Sequence, residues 1–448
     1  MILILCDDYK IFMKKAFLVI ALLLVSTVGF SQNVLRLFSK ANSFFIYMAE
    51  AKYDSAHVFF DDAEKAKITP DNLNQLWGKV VENLGKPETL DAISSKVQGD
   101  FYAVTVEGKF EKAEQNFVLM FNKGEKIVGL FMPPKAATYT KPAYADTALY
   151  AEKSVYLQTP GHQLAAIITT PKGKTNFPVV VLVHGSGPGD MDETVGPNKP
   201  FKDIATGLAS KGIASIRYVK RTLVYAGEFT KTFTVKEEVT DDALAAITMA
   251  KTIPGADQKS IYVLGHSLGG MLAPRLATLA PSLKGIILAA APARKLADII
   301  IDQNKYIVEL AKDTTKATQV NLAEAIKDIE VAKLTKLAPN MKPDSVILGL
   351  PASYWVDLNS YDQVATAKKL KQRILVFQGG NDFQVGITDY NIWNTALGKS
   401  ANAKLKLYPE LNHLLSPQTE KAYTQQYQVP VNVSEQLISD IALWITTK

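Results

Sequence analysis

The sequence predicts an α/β fold with an open, mostly parallel central sheet, preceded by a smaller α+β module. Three observations carry this expectation. From about Ser154, apolar strands alternate with amphipathic helices over short connections, the pattern of parallel strand–helix–strand units. One strand, Val179-Val180-Val181-Leu182-Val183, is apolar at every position, as a strand covered on both faces must be. Before about Pro134 the order differs, with helical periodicity first and a period of two after it.

The N-terminal end reads as a targeting segment. Met13-Lys14-Lys15 opens a run from Ala16 to Val25 that is almost wholly apolar, and small residues follow up to Ser31-Gln32. A basic start, a short apolar run and a small-residue exit make a secretory signal. The run is short of the ~20 residues a membrane span needs, so residues 1–31 are expected to be removed, with Met13 as the true start and no span afterwards. The destination is the periplasm or the outside of the cell. Cys6 is the single cysteine, so the mature chain has no disulfide, zinc-thiolate or cysteine-nucleophile chemistry.

Residues 32–140 form the expected small module. Phe44, Ile46, Tyr47 and Met48 mark an early helix. Thr69-Pro70-Asp71 is a helix start, with Thr as N-cap and Pro at the first turn. Leu73, Leu76, Trp77, Val80 and Leu84 make its apolar face, and Gly85 ends it. Alternation at Tyr102, Val104 and Val106, then at Phe117, Leu119 and Phe121, gives strands, and Asn122-Lys123-Gly124 turns into Ile127–Phe131. A Pro-rich linker covers Pro133 to Pro142.

Residues 141–448 carry the larger domain. Strands are expected at Val155–Leu157, Leu164–Ile168, Val179–Val183, Ile213–Tyr218, Ile261–Leu264, Gly285–Ala291, Ile374–Phe377 and Leu405–Tyr408, with helices between them and a closing helix from Val433 to Trp444. Two helical stretches, Leu296–Ala311 and Val320–Leu337, interrupt the alternation; they lie in a helical lid insertion spanning about residues 294–360.

Chemistry concentrates at Gly265-His266-Ser267-Leu268-Gly269-Gly270. An apolar strand enters it and a helix leaves it, the strand–turn–helix setting of a G-x-S-x-G serine nucleophile. A serine hydroxyl needs a base and an orienting acid from elsewhere in the chain. His413 is the single histidine after Ser267, just past the last strand, and is the expected base. Gly379-Gly380-Asn381-Asp382 follows the preceding strand, which makes Asp382 the expected acid and Asp389 its fallback. Oxyanion donors are assigned to the backbone N–H of Leu268 and of Ser186, the latter within His184-Gly185-Ser186-Gly187-Pro188-Gly189. The His184 side chain reads as structural. Tyr354 and Trp355 are expected to wall a substrate pocket beyond the lid helices.

Together these motifs resemble the α/β-hydrolase superfamily over roughly residues 150–448, and within it bacterial carboxylesterases akin to dienelactone hydrolases. The resemblance implies a serine carboxylesterase with a small-molecule ester substrate and no cofactor, and a cystatin-like or nuclear-transport-factor-like fold for the first module. Val219 stands where that family usually carries Asp in the segment Arg217–Arg221, which leaves the carry-over for this loop open.

Other classes fit less well. H-E-x-x-H is absent and the five histidines are widely spaced, so no metal site is expected. A formal charge of +6, or +5 once three Lys and two Asp leave with residues 1–31, is too mild and too scattered for a nucleic-acid partner. Lys220-Arg221 and Lys371-Arg373 read as solvated surface. Two alternatives remain open: a peptidase or amidase on the same scaffold, and a binding protein whose catalytic fold is idle. A dimer formed through the first module also stays open.

Overall fold

The structure is a computed structural model that describes residues 36–98, 101–133, 137–312 and 314–447. The leader expected over residues 1–31, with Cys6 and Met13, lies outside the described residues. By internal contacts the chain divides into two compact units after residue 136.

The first unit is α+β. Helical residues 36–49 and the helix Pro70–Leu84 supply Phe44, Phe45, Met48, Leu73, Trp77 and Val80 to a core that also takes Val104, Val106, Phe117, Leu119 and Phe121 from the sheet. Thr69 caps the second helix in a reciprocal capping box with Asn72, which satisfies two donors that would otherwise be orphaned. The sheet is an antiparallel meander, β1 (Pro87–Gln98), β2 (Phe101–Phe110), β3 (Glu114–Phe121) and β4 (Ile127–Phe131), in that spatial order. The sequence reading found the last three strands and missed β1. Its residues, rich in Ser, Asp and Glu, show little alternation, and a register shift between Ala92 and Ser94 breaks the pleat.

The second unit is built on eight strands: β5 (Tyr150–Thr159), β6 (His162–Pro171), β7 (Phe177–Val183), β8 (Ala214–Tyr218), β9 (Ala256–His266), β10 (Gly285–Ala289), β13 (Arg373–Gly379) and β14 (Ala403–Tyr408). They lie side by side as β14-β13-β10-β9-β7-β8-β6-β5. All neighbours pair in parallel except β5 with β6 and β6 with β8, so β6 alone runs against the rest. The apolar run in β7 is doubly buried, as its composition requires. Val179, Val181 and Val183 enter the core on one face with the helices Asp241–Ala250 and Leu268–Leu279. Val180 and Leu182 enter the core on the other face with Pro200–Ser210 and Glu435–Thr446. Each such side chain stabilises the fold by roughly 1.5–3 kcal/mol.

Between β10 and β13 lie the helices Leu296–Ala311 and Lys316–Val331, a two-strand hairpin of β11 (Val346–Ile347) and β12 (Leu350–Pro351), and the helix Ala352–Asn359. The second helix begins at Lys316, with Thr315 as its N-cap, and stops at Val331, so residues 332–337 are not helical as expected.

Two readings are corrected in this unit. Lys220 and Arg221 are buried, at 2 % and 3 % exposure, rather than solvated. Each is matched to a buried carboxylate, Lys220 to Glu238 at 2.6 Å and Arg221 to Asp242. Such pairing is the condition on which charges enter a core, and a list of neighbours along the chain does not reveal it. Tyr354 and Trp355 are each 1 % exposed and belong to the packed core. Trp355 donates its indole N–H to the Ile347 carbonyl at 2.9 Å. The Tyr354 ring meets Phe233 edge-on at 5.7 Å, with its hydroxyl facing Glu238. Neither presents a wall to substrate.

Candidate active site

Ser267 sits between β9 and the helix Leu268–Leu279, half-buried, with φ +51 and ψ −118. That backbone conformation costs a non-glycine residue on the order of 1–3 kcal/mol, and the surroundings hold it. The Ser267 N–H donates to the Ala289 carbonyl of β10 at 2.9 Å, and its own carbonyl accepts from Met271 N at 2.9 Å. The flanking glycines are demanded by space. A Cβ at Gly265 would lie 2.1 Å from the Gly269 carbonyl oxygen, and one at Gly269 would lie 2.2 Å from that of Val183. The turn closes this tightly because side chains are missing there, and it lifts Ser267 to the C-terminal edge of the sheet.

His413 and Asp382 come from the loops after β14 and β13, two neighbouring strands. Gly379 and Gly380 allow these loops to touch, since a Cβ on either would meet Leu411 or Pro409 backbone within 2.5 Å. His413 Nδ1 donates to Asp382 Oδ2 at 2.7 Å. The same oxygen accepts from Gln378 Nε2 at 2.8 Å, and Oδ1 accepts from the N–H groups of Gln384 at 2.8 Å and Val385 at 2.9 Å. Asp382 is 1 % exposed, so this buried carboxylate is fully engaged, as it must be away from water. The Nδ1 contact fixes the tautomer that leaves His413 Nε2 as an acceptor.

Asp389, the fallback acid, is otherwise occupied. It accepts from the N–H groups of Ala293 at 2.8 Å and Arg294 at 3.1 Å, and pairs with the Arg294 guanidinium at 2.7 Å. It ties down the chain where the residues between β10 and β13 begin.

The loop after β7 runs past Ser267: a Cβ on Gly185 would be 3.2 Å from that of Ser267. Gly185 N–H donates to Glu193 Oε1 at 2.7 Å and Gly187 N–H to Glu238 Oε1 at 3.0 Å. Lys220 Nζ donates to the Gly185 carbonyl at 2.8 Å. Ser186, between the two pinned residues, is exposed. His184 is structural: its Nε2 donates to the Asp190 carbonyl at 2.8 Å, and burial pushes its pKa down to about 4. Leu268 opens its helix, where backbone N–H groups point outward and the helix dipole favours negative charge. Sequence reasoning missed Glu193, Glu238 and Lys220. No motif spacing marks them, because they act on the loop from behind.

A strand–turn–helix serine at the edge of a mostly parallel sheet, whose neighbour His266 meets the backbone carbonyl of the acid-paired His413 at 2.8 Å, defines a hydrolase of the α/β-hydrolase class. The comparisons agree and go further. Residues 178–420 match a family described as serine aminopeptidase, S33, and the chain belongs to that family. It is 35 % identical over 400 residues to Esterase EstD of Thermotoga maritima, across 89 % of this chain and 93 % of that one. Residues 41–130 match a family described as a protein of unknown function, DUF3887. Among solved structures, Est1E from Butyrivibrio proteoclasticus has a TM-score of 0.43 at 17 % identity, over 66 % of this chain and 99 % of its own. The acylaminoacyl peptidase of Pyrococcus horikoshii has a TM-score of 0.43 at 14 % identity, over 73 % and 52 %.

Proposed function

We propose that this chain is an exported serine esterase that cleaves short-acyl carboxylic esters through an acyl-enzyme. The observation that carries the reading is the 2.7 Å contact of His413 Nδ1 with a fully engaged Asp382 carboxylate, in the same rim of the sheet as the strained Ser267 turn. Ser267 Oγ attacks the ester carbonyl while His413 Nε2 takes its proton. The oxyanion is held by the N–H groups of Ser186 and Leu268. His413 then returns the proton to the departing alkoxide, and water repeats the sequence to release the acid. Asp382 keeps the imidazole oriented and stabilises the imidazolium without taking the proton itself.

Esterase chemistry is favoured by the likeness to Esterase EstD, which extends over nearly all of both chains. The short-acyl preference rests on the modest apolar character of the helices Leu296–Ala311 and Lys316–Val331, taken as a lid. Export rests on the segment Met13–Gln32. The first module, residues 32–140, is taken as a separate domain and a candidate dimer surface. A peptidase reading is favoured by the description of the matched family. Turnover of a p-nitrophenyl ester series and an aminoacyl-p-nitroanilide by wild type and Ser267→Ala separates the two. The esterase reading expects activity greatest on two- to four-carbon acyl groups and lost in the variant; anilide turnover exceeding ester turnover overturns it.

A further inference from the structure

His266, next to Ser267, is 4 % exposed, and both of its ring nitrogens face acceptors. Nε2 lies 2.8 Å from the carbonyl oxygen of His413. Nδ1 lies 2.9 Å from Glu193 Oε2, a close ion pair set off the line of an ideal hydrogen bond. An imidazole with an acceptor at each nitrogen needs a proton on both. The second carboxylate oxygen of Glu193 accepts the Gly185 N–H, one residue before Ser186. Glu193 reaches this position from φ +52, a left-handed backbone that strains a non-glycine residue. The Asp190 turn holds it there, with Glu193 N–H donating to the Asp190 carbonyl at 3.1 Å and the Asp190 side chain accepting from Asp192 N and Thr194 N.

One side-chain pair therefore joins three segments that meet around Ser267: the loop after β7, the serine turn and the histidine loop after β14. We propose that Glu193 and His266 are positioning residues that clamp the oxyanion loop to the backbone of His413, holding both in register with the serine hydroxyl. The inference rests on the serine-esterase reading above. A buried ion pair is a poor source of net stability, so its use here fits a demand for geometry. The groups facing His266 are Glu193, the tilted His413 ring 4.7 Å away, the Phe201 ring at 6.5 Å, and Asp382 beyond His413; those facing Glu193 include His184. Burial opposes the charge on both partners. For His266 it is outweighed by Glu193 and the His413 carbonyl, which raise its pKa above the ordinary imidazole value. For Glu193 it is outweighed by His266, His184 and the Gly185 N–H, which lower its pKa.

This pair makes the clamp pH-sensitive. It is intact between the lowered Glu193 pKa and the raised His266 pKa, and on the alkaline side it loosens as pH rises through the latter, when one nitrogen lone pair turns on an acceptor. Glu193→Gln removes that sensitivity: the amide oxygen still accepts from Gly185, and its NH2 donates to a neutral His266 that still donates to His413. The test is kcat and KM against pH on p-nitrophenyl acetate for wild type, Glu193→Ala and Glu193→Gln, with melting curves and phosphonate labelling of Ser267. Glu193→Ala is expected to lower kcat by about ten- to a hundredfold, the penalty of a small misplacement, with KM little changed. Glu193→Gln is expected to restore most of kcat and to lack the wild-type alkaline fall. A folded Glu193→Ala with wild-type kcat and profile overturns the clamp; if it does not fold, a Glu193→Gln profile identical to wild type does so. Failure of wild-type Ser267 to label sinks the serine reading instead, whatever the variants do.

Discussion

Asp382→Asn tests the site with the smallest change in shape. Asp382 accepts four hydrogen bonds, two from backbone N–H groups on Oδ1 and two, from His413 Nδ1 and Gln378 Nε2, on Oδ2. In the variant the amide oxygen stays with Gln384 and Val385, so its NH2 group faces His413 and Gln378. Gln378 has no room to turn its own amide round, because its Nε2 also donates to the Val385 carbonyl at 2.8 Å. The imidazole then accepts at Nδ1 and carries its proton on Nε2, where it has no lone pair to receive the serine proton. Loss of the correct tautomer costs on the order of 10⁴ in kcat, or about 5.5 kcal/mol of transition-state stabilisation. Loss of the charge-assisted bonds lowers stability by a further ~1.5–3 kcal/mol. Stopped-flow or steady-state release of p-nitrophenol measures the first, and denaturant melts measure the second. A folded Asp382→Asn enzyme within tenfold of wild-type kcat refutes the assignment of Asp382.

Other perturbations reach the scaffold. Gly269→Ala puts a Cβ 2.2 Å from the Val183 carbonyl oxygen, so the serine turn must open; turnover falls by more than tenfold and the melting temperature drops, whereas an active, equally stable variant contradicts the packing argument. Asp242→Ala strands Arg221 and removes the acceptor of Thr159 Oγ1 in β5, which should cost about 3–5 kcal/mol in a urea melt. His184, with a folded pKa near 4 against an unfolded value of about 6.5, is neutral when folded and takes a proton only on unfolding. Its contribution is whole above pH ~6.5 and is lost as pH falls towards 4, by about 3 kcal/mol. Melts of wild type and His184→Gln at pH 7 and 4.5 should show the steeper acid loss in wild type; parallel losses speak against a buried neutral ring.

What was legible in the sequence follows from local physics. β7 announced itself because a doubly buried strand must be apolar throughout, and the Ser267 turn did so because its two glycines are forced by backbone contacts under 2.5 Å. β1 was not legible, since its residues are held by pairing with β2 along nearly their whole length rather than by an apolar face. Lys220 and Arg221 misled for a related reason: their carboxylate partners, Glu238 and Asp242, lie 18 and 21 residues further along. Tyr354 and Trp355 misled because aromatic bulk near a lid serves a core as readily as a pocket. Glu193 carries no motif at all, and its role depends on a left-handed turn that brings a carboxylate between two loops.

Mass spectrometry of the intact protein after treatment with a fluorophosphonate reads the central claim directly. Nucleophilic attack by a single activated hydroxyl predicts one adduct per chain, located to the peptide holding Ser267 and absent from His413→Ala. A protein that stays unmodified at saturating reagent, or is modified at another residue while ester turnover continues, contradicts it.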